Sequence, residues 1–152
     1  MARAPFQILV LPYRRQTDGL EYAIFRRADN DGWQGIAGGG EDLETPRDAA
    51  VREIQEEAGI TATRLLHLDA VGTVSVEHFR ERHAWDPALR QIPEYAFGVA
   101  VDESAISLSP EHLEVAWLTF EDALARLPWE SNRIALRELH NRLSATSGTN
   151  LP

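Results

Sequence analysis

Seven carboxylates, Glu41, Asp42, Glu44, Asp48, Glu53, Glu56 and Glu57, crowd a stretch of the chain that holds only two arginines, Arg47 and Arg52. Thr45 followed by Pro46 and Asp48 is a helix start, with an N-cap hydroxyl, a proline in the first turn and a carboxylate at N3. Gly59 marks the stop, so the spacing predicts a helix to about Ala58. Residues three and four apart share a helix face, which sets Glu53 beside Glu56 and Glu57, where like charges repel unless a cation sits among them. Ala50, Val51, Ile54 and Ala58 form a neighbouring stripe suited to burial against a sheet. Two readings follow: a solvated acidic face, the commoner outcome for a Glu-rich helix, or a set of oxygen ligands for a hard cation such as Mg²⁺ or Mn²⁺.

Around this helix, Gln7 to Tyr13 and Glu21 to Arg26 read as a hairpin across Asp18-Gly19. Trp33 to Ala37 reads as a short strand that enters a loop at Gly38-Gly39-Gly40, where glycine permits positive φ. Arg64 to Val76 and Glu94 to Val101 are strand-like and flank an aperiodic segment, His78 to Pro93, that reads as a loop over a site. Glu114 to Leu118 is a last strand, and Phe120 to Leu127 and Ser131 to Leu143 carry apolar residues at helical spacing. The pattern predicts one mixed α/β layered domain over residues 1–143, with 144–152 as a flexible tail.

At 152 residues with 43% apolar and 26% charged residues, the chain fits one globular domain. It lacks an apolar run long enough to cross a bilayer and a secretory pattern at its start, so a cytoplasmic protein is expected. The absence of cysteine leaves oxygen or imidazole as metal ligands. A net charge of -9 argues against stable nucleic-acid binding, although a metal ion lets an acidic protein hold a polyphosphate.

Gly38 to Ile60, GGGEDLETPRDAAVREIQEEAGI, resembles the Nudix box, G-x5-E-x7-R-E-U-x-E-E-x-G-U with U apolar, at every specified position. With ordinary residue frequencies such a match arises by chance at on the order of one in 10⁹ start points. Leu43 stands where many family members have glycine, at an unspecified position. The resemblance implies a hydrolase of phosphoanhydride bonds with the Nudix fold, an α/β architecture in which a mixed sheet is sandwiched between helices. It implies that Glu53 and Glu57 ligate Mg²⁺, that Glu56 is a further ligand or activates water, that Gly38 lends a carbonyl, and that Arg52 and Glu44 orient the carboxylates as an ion pair.

Outside the box, Trp33-Gln34, Glu111-His112-Leu113 before Trp117-Leu118, and Trp129 with Ser131-Asn132-Arg133 resemble the bacterial branch acting on dihydroneopterin triphosphate and dATP. In that branch the Glu of the E-H-L patch is a metal ligand, which makes Glu111 the candidate here. The expected substrate is a small nucleotide-like triphosphate, cleaved to monophosphate and pyrophosphate by a monomer or homodimer. The alternatives are a house-cleaning hydrolase of non-standard triphosphates, a hydrolase of another nucleoside-diphosphate-X compound, or a nucleotide sensor without catalysis.

Trp33 either stacks on a flat ring or belongs to the core, and Gln34 is positioned to pair with a ring edge. Arg26, Arg27 and Arg3 are candidates for phosphate contact. His78, His83, Trp85 and Tyr95 lie in or beside the loop after the box, where the histidine spacing matches no ligand pattern and ordinary polar loop residues are the alternative.

Overall fold

The computed structural model describes residues 2–102 and 106–148. Strands β1 (Arg3–Gln16) and β2 (Gly19–Arg27) form the expected hairpin, with Gln16 opposite Gly19 and Tyr13 opposite Tyr22. They are followed by β3 (Trp33–Gln34), β4 (Ile36–Glu41), helix α1 (Pro46–Ala58), β5 (Leu65–Ser75), β6 (Gln91–Ala100), β7 (His112–Leu118), α2 (Phe120–Arg126) and α3 (Glu130–Gly148).

Among the described residues these strands make one mixed, seven-stranded sheet. The first half of β1 pairs antiparallel with β4 and its end pairs with β2, while β6 runs parallel along its other edge. Because β1 lies in the middle of the sheet, its residues Ile8 to Leu11 are buried on both faces and read as an unbroken apolar run. The pleat divides them. Ile8 and Val10 join Phe25, Phe97 and Val99 under Ala49, Ala50, Ile54 and Ala58 of α1. Leu9 and Leu11 join Tyr22 and Ile24 under Ala123 of α2 and Leu136 and Leu139 of α3. The sheet is thus sandwiched between helices, as expected of an α/β protein.

Helix α1 starts and stops where its sequence says. The Asp48 N–H donates to Thr45 Oγ1 and the Thr45 N–H to Asp48 Oδ2, both at 3.1 Å, and Gly59 closes the helix at φ 69°. Its buried stripe is rotated from the expected one: Val51 is 40% exposed, and the buried positions are Ala49, Ala50, Glu53, Ile54, Glu57 and Ala58. Two glutamates therefore belong to the face that packs on the sheet.

The glycine run is also different from expectation. Gly38, Gly39 and Gly40 lie inside β4, with Gly38 opposite Ile8 and Gly39 opposite Gln7, and none has positive φ. Glycine is needed there for close approach. A Cβ at Gly38 would stand 2.3 Å from the Glu53 carboxyl carbon, one at Gly39 would strike the Arg3 guanidinium, and one at Gly40 the Phe6 ring.

The segment after β5 is a packed lobe with two 3₁₀ turns, Val76–His78 and Arg80–Ala84, and its last residues, from Gln91, belong to β6. Trp85 is buried and its Nε1–H donates to the Arg3 carbonyl at 2.8 Å, which ties the lobe to β1. Tyr95 lies in β6. Helix α3 continues to Gly148, past the expected end at Leu143, and 149–152 lie outside the described residues.

Candidate active site

Glu53 and Glu57 are 8% and 5% exposed, so the acidic stripe of α1 is no solvated face. Burial pushes the Glu53 carboxyl up to about 7, against the opposing pull of Arg52, and the neighbouring charges of Glu56 and Glu57 push the same way as burial. Glu57 Oε2 accepts a hydrogen bond from Ser109 Oγ at 2.6 Å. The Glu111 carboxyl meets that of Glu57, and this contact, followed by desolvation, raises the Glu111 pKa.

His112 Nδ1 lies 3.2 Å from Glu57 Oε2, yet neither ring nitrogen makes an aligned hydrogen bond. Burial, together with the nearby Arg27 charge, lowers the pKa of this ring. We therefore read His112 as neutral and its approach to Glu57 as packing without an ion pair.

Arg52 organises the opposite side of the carboxylate group. Its Nε and Nη2 grip Glu44 in a two-pronged pair at 2.9 Å each, and Nη2 also donates to the Gly39 carbonyl at 2.8 Å. Its Nη1 reaches Glu53 at 2.9 Å and Glu56 at 3.3 Å. The guanidinium holds Glu44 below the usual carboxylate range, and Glu44 in turn accepts the Glu41 N–H at 2.8 Å. One arginine thereby fastens the turn before α1 to β4 and to the helix. The expected Arg52–Glu44 pair is present.

The donor chemistry here is that of a hard-cation site: only oxygens, two of them on buried carboxylates, under a strand whose Gly38 leaves room for nothing but the Glu53 carboxyl. Among the described residues no three acidic or imidazole side chains converge on one point. Glu53 and Glu56 turn toward Arg52, and Glu57 toward Ser109 and Glu111.

Beside the carboxylates lies a cleft of about 470 Å³ lined by Gly38, Arg27, Glu111, Gln34 and Arg3, with Trp129, Ser131 and Asn132 from the start of α3 on another side. Three of its lining residues stand in register on adjacent strands, Gly39 opposite Gln7 and Gln7 opposite Glu94, and Gly72 continues the row beyond it. Asn132 is buried and its Oδ1 accepts the Gly35 N–H at 3.0 Å, which anchors α3 to the sheet. A larger hollow of about 650 Å³ between Ser75 and Gln91 contains His83 and none of the acidic helix.

Of the residues proposed for substrate contact, Gln34, Arg27 and Arg3 line the cleft. Arg27 is paired with Asp29 at 2.8 and 2.9 Å, and Arg3 lies over the Phe79 ring at 4.9 Å with its pKa lowered by desolvation. Trp33 does not line it: as the pleat partner of Gln34 it turns to the second core, under the Arg126 guanidinium at 5.0 Å. Arg26, alternating with Arg27, turns away likewise and pairs with Glu114 at 2.7 Å and with Asp31. His78 reaches the cleft edge.

Sequence reasoning passes over Gln7, Glu94 and Ser109, which acquire meaning only through strand register and packing against α1, and it gives His112 no role of its own within the Glu111-His112-Leu113 patch. Trp129, Ser131 and Asn132 stood in a recognisable patch without a role.

Residues 7–139 match the family model described as NUDIX domain. The chain is 34% identical over 139 residues, 90% of its length and 92% of the relative's, to the dihydroneopterin triphosphate diphosphatase of Escherichia coli strain K12. Among solved structures, a NUDIX hydrolase from Listeria monocytogenes superposes with a TM-score of 0.85 at 34% identity, covering 94% of this chain and 97% of that one. The E. coli dihydroneopterin triphosphate pyrophosphohydrolase superposes with a TM-score of 0.71 at 30% identity, covering 90% and 94%. With its box intact and its carboxylates buried where α1 meets β4, the chain belongs to the NUDIX family and is a hydrolase of phosphoanhydride bonds.

Proposed function

We propose that the chain is a Mg²⁺-dependent pyrophosphohydrolase converting dihydroneopterin triphosphate, or a deoxynucleoside triphosphate, to the monophosphate and pyrophosphate. The observation that carries this reading is the junction of the two regions: Glu57 and Glu111 meet at one end of a cleft large enough for a bicyclic ring and its sugar or side chain. Similarity to the E. coli enzyme over nine-tenths of both chains supports the choice of substrate.

In this reading Glu53, Glu57 and Glu111, with the Gly38 carbonyl, hold the metal, and Mn²⁺ is a substitute of the same ligand preference. A divalent ion held by these groups would supply charge withdrawal at the phosphate oxygens and a lowered pKa for a nearby water. The residues do the rest. Glu56, 54% exposed in its side chain and held at 3.3 Å from Arg52, is free to accept the proton of the attacking water and release it to solvent. Arg52 and Glu44 keep α1 and the glycine strand in fixed relation, so the carboxylates do not drift as charge moves. Arg27 and Arg3 supply positive charge at the cleft wall for the phosphate chain.

Purified protein with Mg²⁺, offered a panel of pterin and nucleoside triphosphates, is expected to yield monophosphate and pyrophosphate in equal amounts. Release of single phosphates, or no turnover of any triphosphate, refutes the proposal.

A further inference from the structure

Glu94 is a buried carboxyl, 7% exposed, that lines the cleft and has no part in the hydrolytic chemistry. It receives a hydrogen bond from Ser131 of α3, while burial raises its pKa. Its neighbour across the sheet is Gln7, and the two side chains leave the same face of adjacent strands, about 5 Å apart. The flanking positions in the row are Gly39, covered by the Arg3 guanidinium, and Gly72, covered by Ser131, so the two polar groups are framed by an arginine on one side and a serine on the other.

The hydrogen-bonding sense of this pair is fixed. Arg3 Nη2 bonds to Gln7 Oε1, and since arginine only donates, the Gln7 oxygen is committed and its amide N–H₂ is left to donate elsewhere. A carboxylate at Glu94 only accepts, with lone pairs in excess of the single bond from Ser131. The floor therefore presents two acceptor positions beside one donor. A 2-amino-4-oxo pyrimidine edge, shared by pterins and guanine, presents the complement: an exocyclic amine and a ring N–H that donate, next to a carbonyl that accepts. An adenine edge, with one donor and one acceptor, fills only two of these three positions and forgoes the two-pronged contact with Glu94.

Building on the pyrophosphohydrolase reading, we propose that Glu94 and Gln7 read the ring, making 2-amino-4-oxo compounds the preferred substrate class of this enzyme. Glu94 accepts from the amine and the ring N–H, and Gln7 donates to the carbonyl. Trp129, 56% exposed at the same cleft, offers a flat face to the ring.

The test compares steady-state pyrophosphate release from dihydroneopterin triphosphate, dGTP, dITP and dATP by wild-type protein and by Glu94→Gln. With wild-type protein alone, loss of the 2-amino group from dGTP to dITP is expected to lower kcat/KM by about 10- to 100-fold, chiefly through KM, the discrimination typical of a two-pronged base contact. Glu94→Gln, whose amide donates as well as accepts, is expected to reduce dihydroneopterin triphosphate and dGTP by a similar factor and to spare or improve dATP. The pterin and guanine arms falling together marks the shared edge as the feature read. Equal rates on dGTP and dITP, or a uniform loss on every substrate in Glu94→Gln with an unchanged melting curve, overturns the inference. Those outcomes leave the underlying reaction intact, whereas its own failure shows as the absence of pyrophosphate from every wild-type assay.

Discussion

The two faces of the central sheet are built from different materials. On the α1 face, Arg52, Glu53, Glu56 and Glu57 come from six consecutive residues, and the Arg52 guanidinium holds Glu53 and Glu56. On the α3 face, the cleft floor and wall are assembled from β1, β6 and the start of α3, with hydrogen bonds between strands far apart in the chain. The first is a charged device whose geometry is local. The second is a nearly neutral slot whose geometry exists only when the sheet has formed. A reaction common to many substrates suits the former, and choice among substrates suits the latter.

Four measurements bear on this division. The largest effect is expected from Glu57→Gln or Glu53→Gln, which should lower turnover on the order of 10³-fold with KM little changed and the fold preserved by circular dichroism. Near wild-type turnover breaks the assignment of hydrolysis to the α1 face. Gly38→Ala comes next, because its methyl group occupies the place of the Glu53 carboxyl. We expect kcat to fall about 10²-fold, the typical cost of a misplacement near 1 Å, and an unchanged kcat would show that Glu53 relocates freely.

The two tryptophans sharpen the contrast further. Trp129→Ala should raise KM about 10-fold while leaving the melting temperature nearly constant, as loss of one stacking surface predicts. Trp33→Leu should do the reverse, lowering the melting temperature with KM intact, because Trp33 packs in the second core. If Trp33→Leu raises KM as much as Trp129→Ala, the cleft has been drawn on the wrong side of the pleat.

The smallest effect is a pH dependence. Glu53 has a folded pKa of about 7 against an ordinary value of 4.5, so the folded state without metal favours its protonated form. The stability linked to this proton is complete below about 4.5 and is lost as pH rises through about 7. Melting of metal-free protein should therefore drop across that window, and Mg²⁺ affinity should climb across it as the competing proton leaves. Glu53→Gln should flatten the melting profile, and an unflattened one assigns the proton to another group.

How much of this was readable without coordinates follows the same local and non-local split. Thr45, Pro46, Asp48 and Gly59 delimit α1 because caps are contacts within a few residues, and the ligand helix was legible for that reason. Glu111 was identified through a motif alone, and the structure sets it against Glu57. The glycine run was misjudged because the same residue type serves both positive φ and close approach, and only the position of Glu53 tells which is needed. Trp33 and Arg26 stand as candidates beside Gln34 and Arg27 because adjacent residues on a strand face opposite ways, and the sequence of a two-residue strand holds too little alternation to tell which of each pair meets the cleft. Gln7 and Glu94 looked like ordinary polar ends of apolar strands, since their pairing spans 87 positions and is decided by the β1–β6 register.

The bare strand β4 has a practical implication for anyone wishing to redirect this enzyme. Its three adjoining glycines abut a carboxylate, a guanidinium and a benzyl ring respectively, so any bulk added there is transmitted to a different neighbour at each step. A library aimed at new rings should leave 38–40 untouched and diversify Gln7, Glu94, Trp129 and Ser131, whose replacement leaves the acidic helix undisturbed.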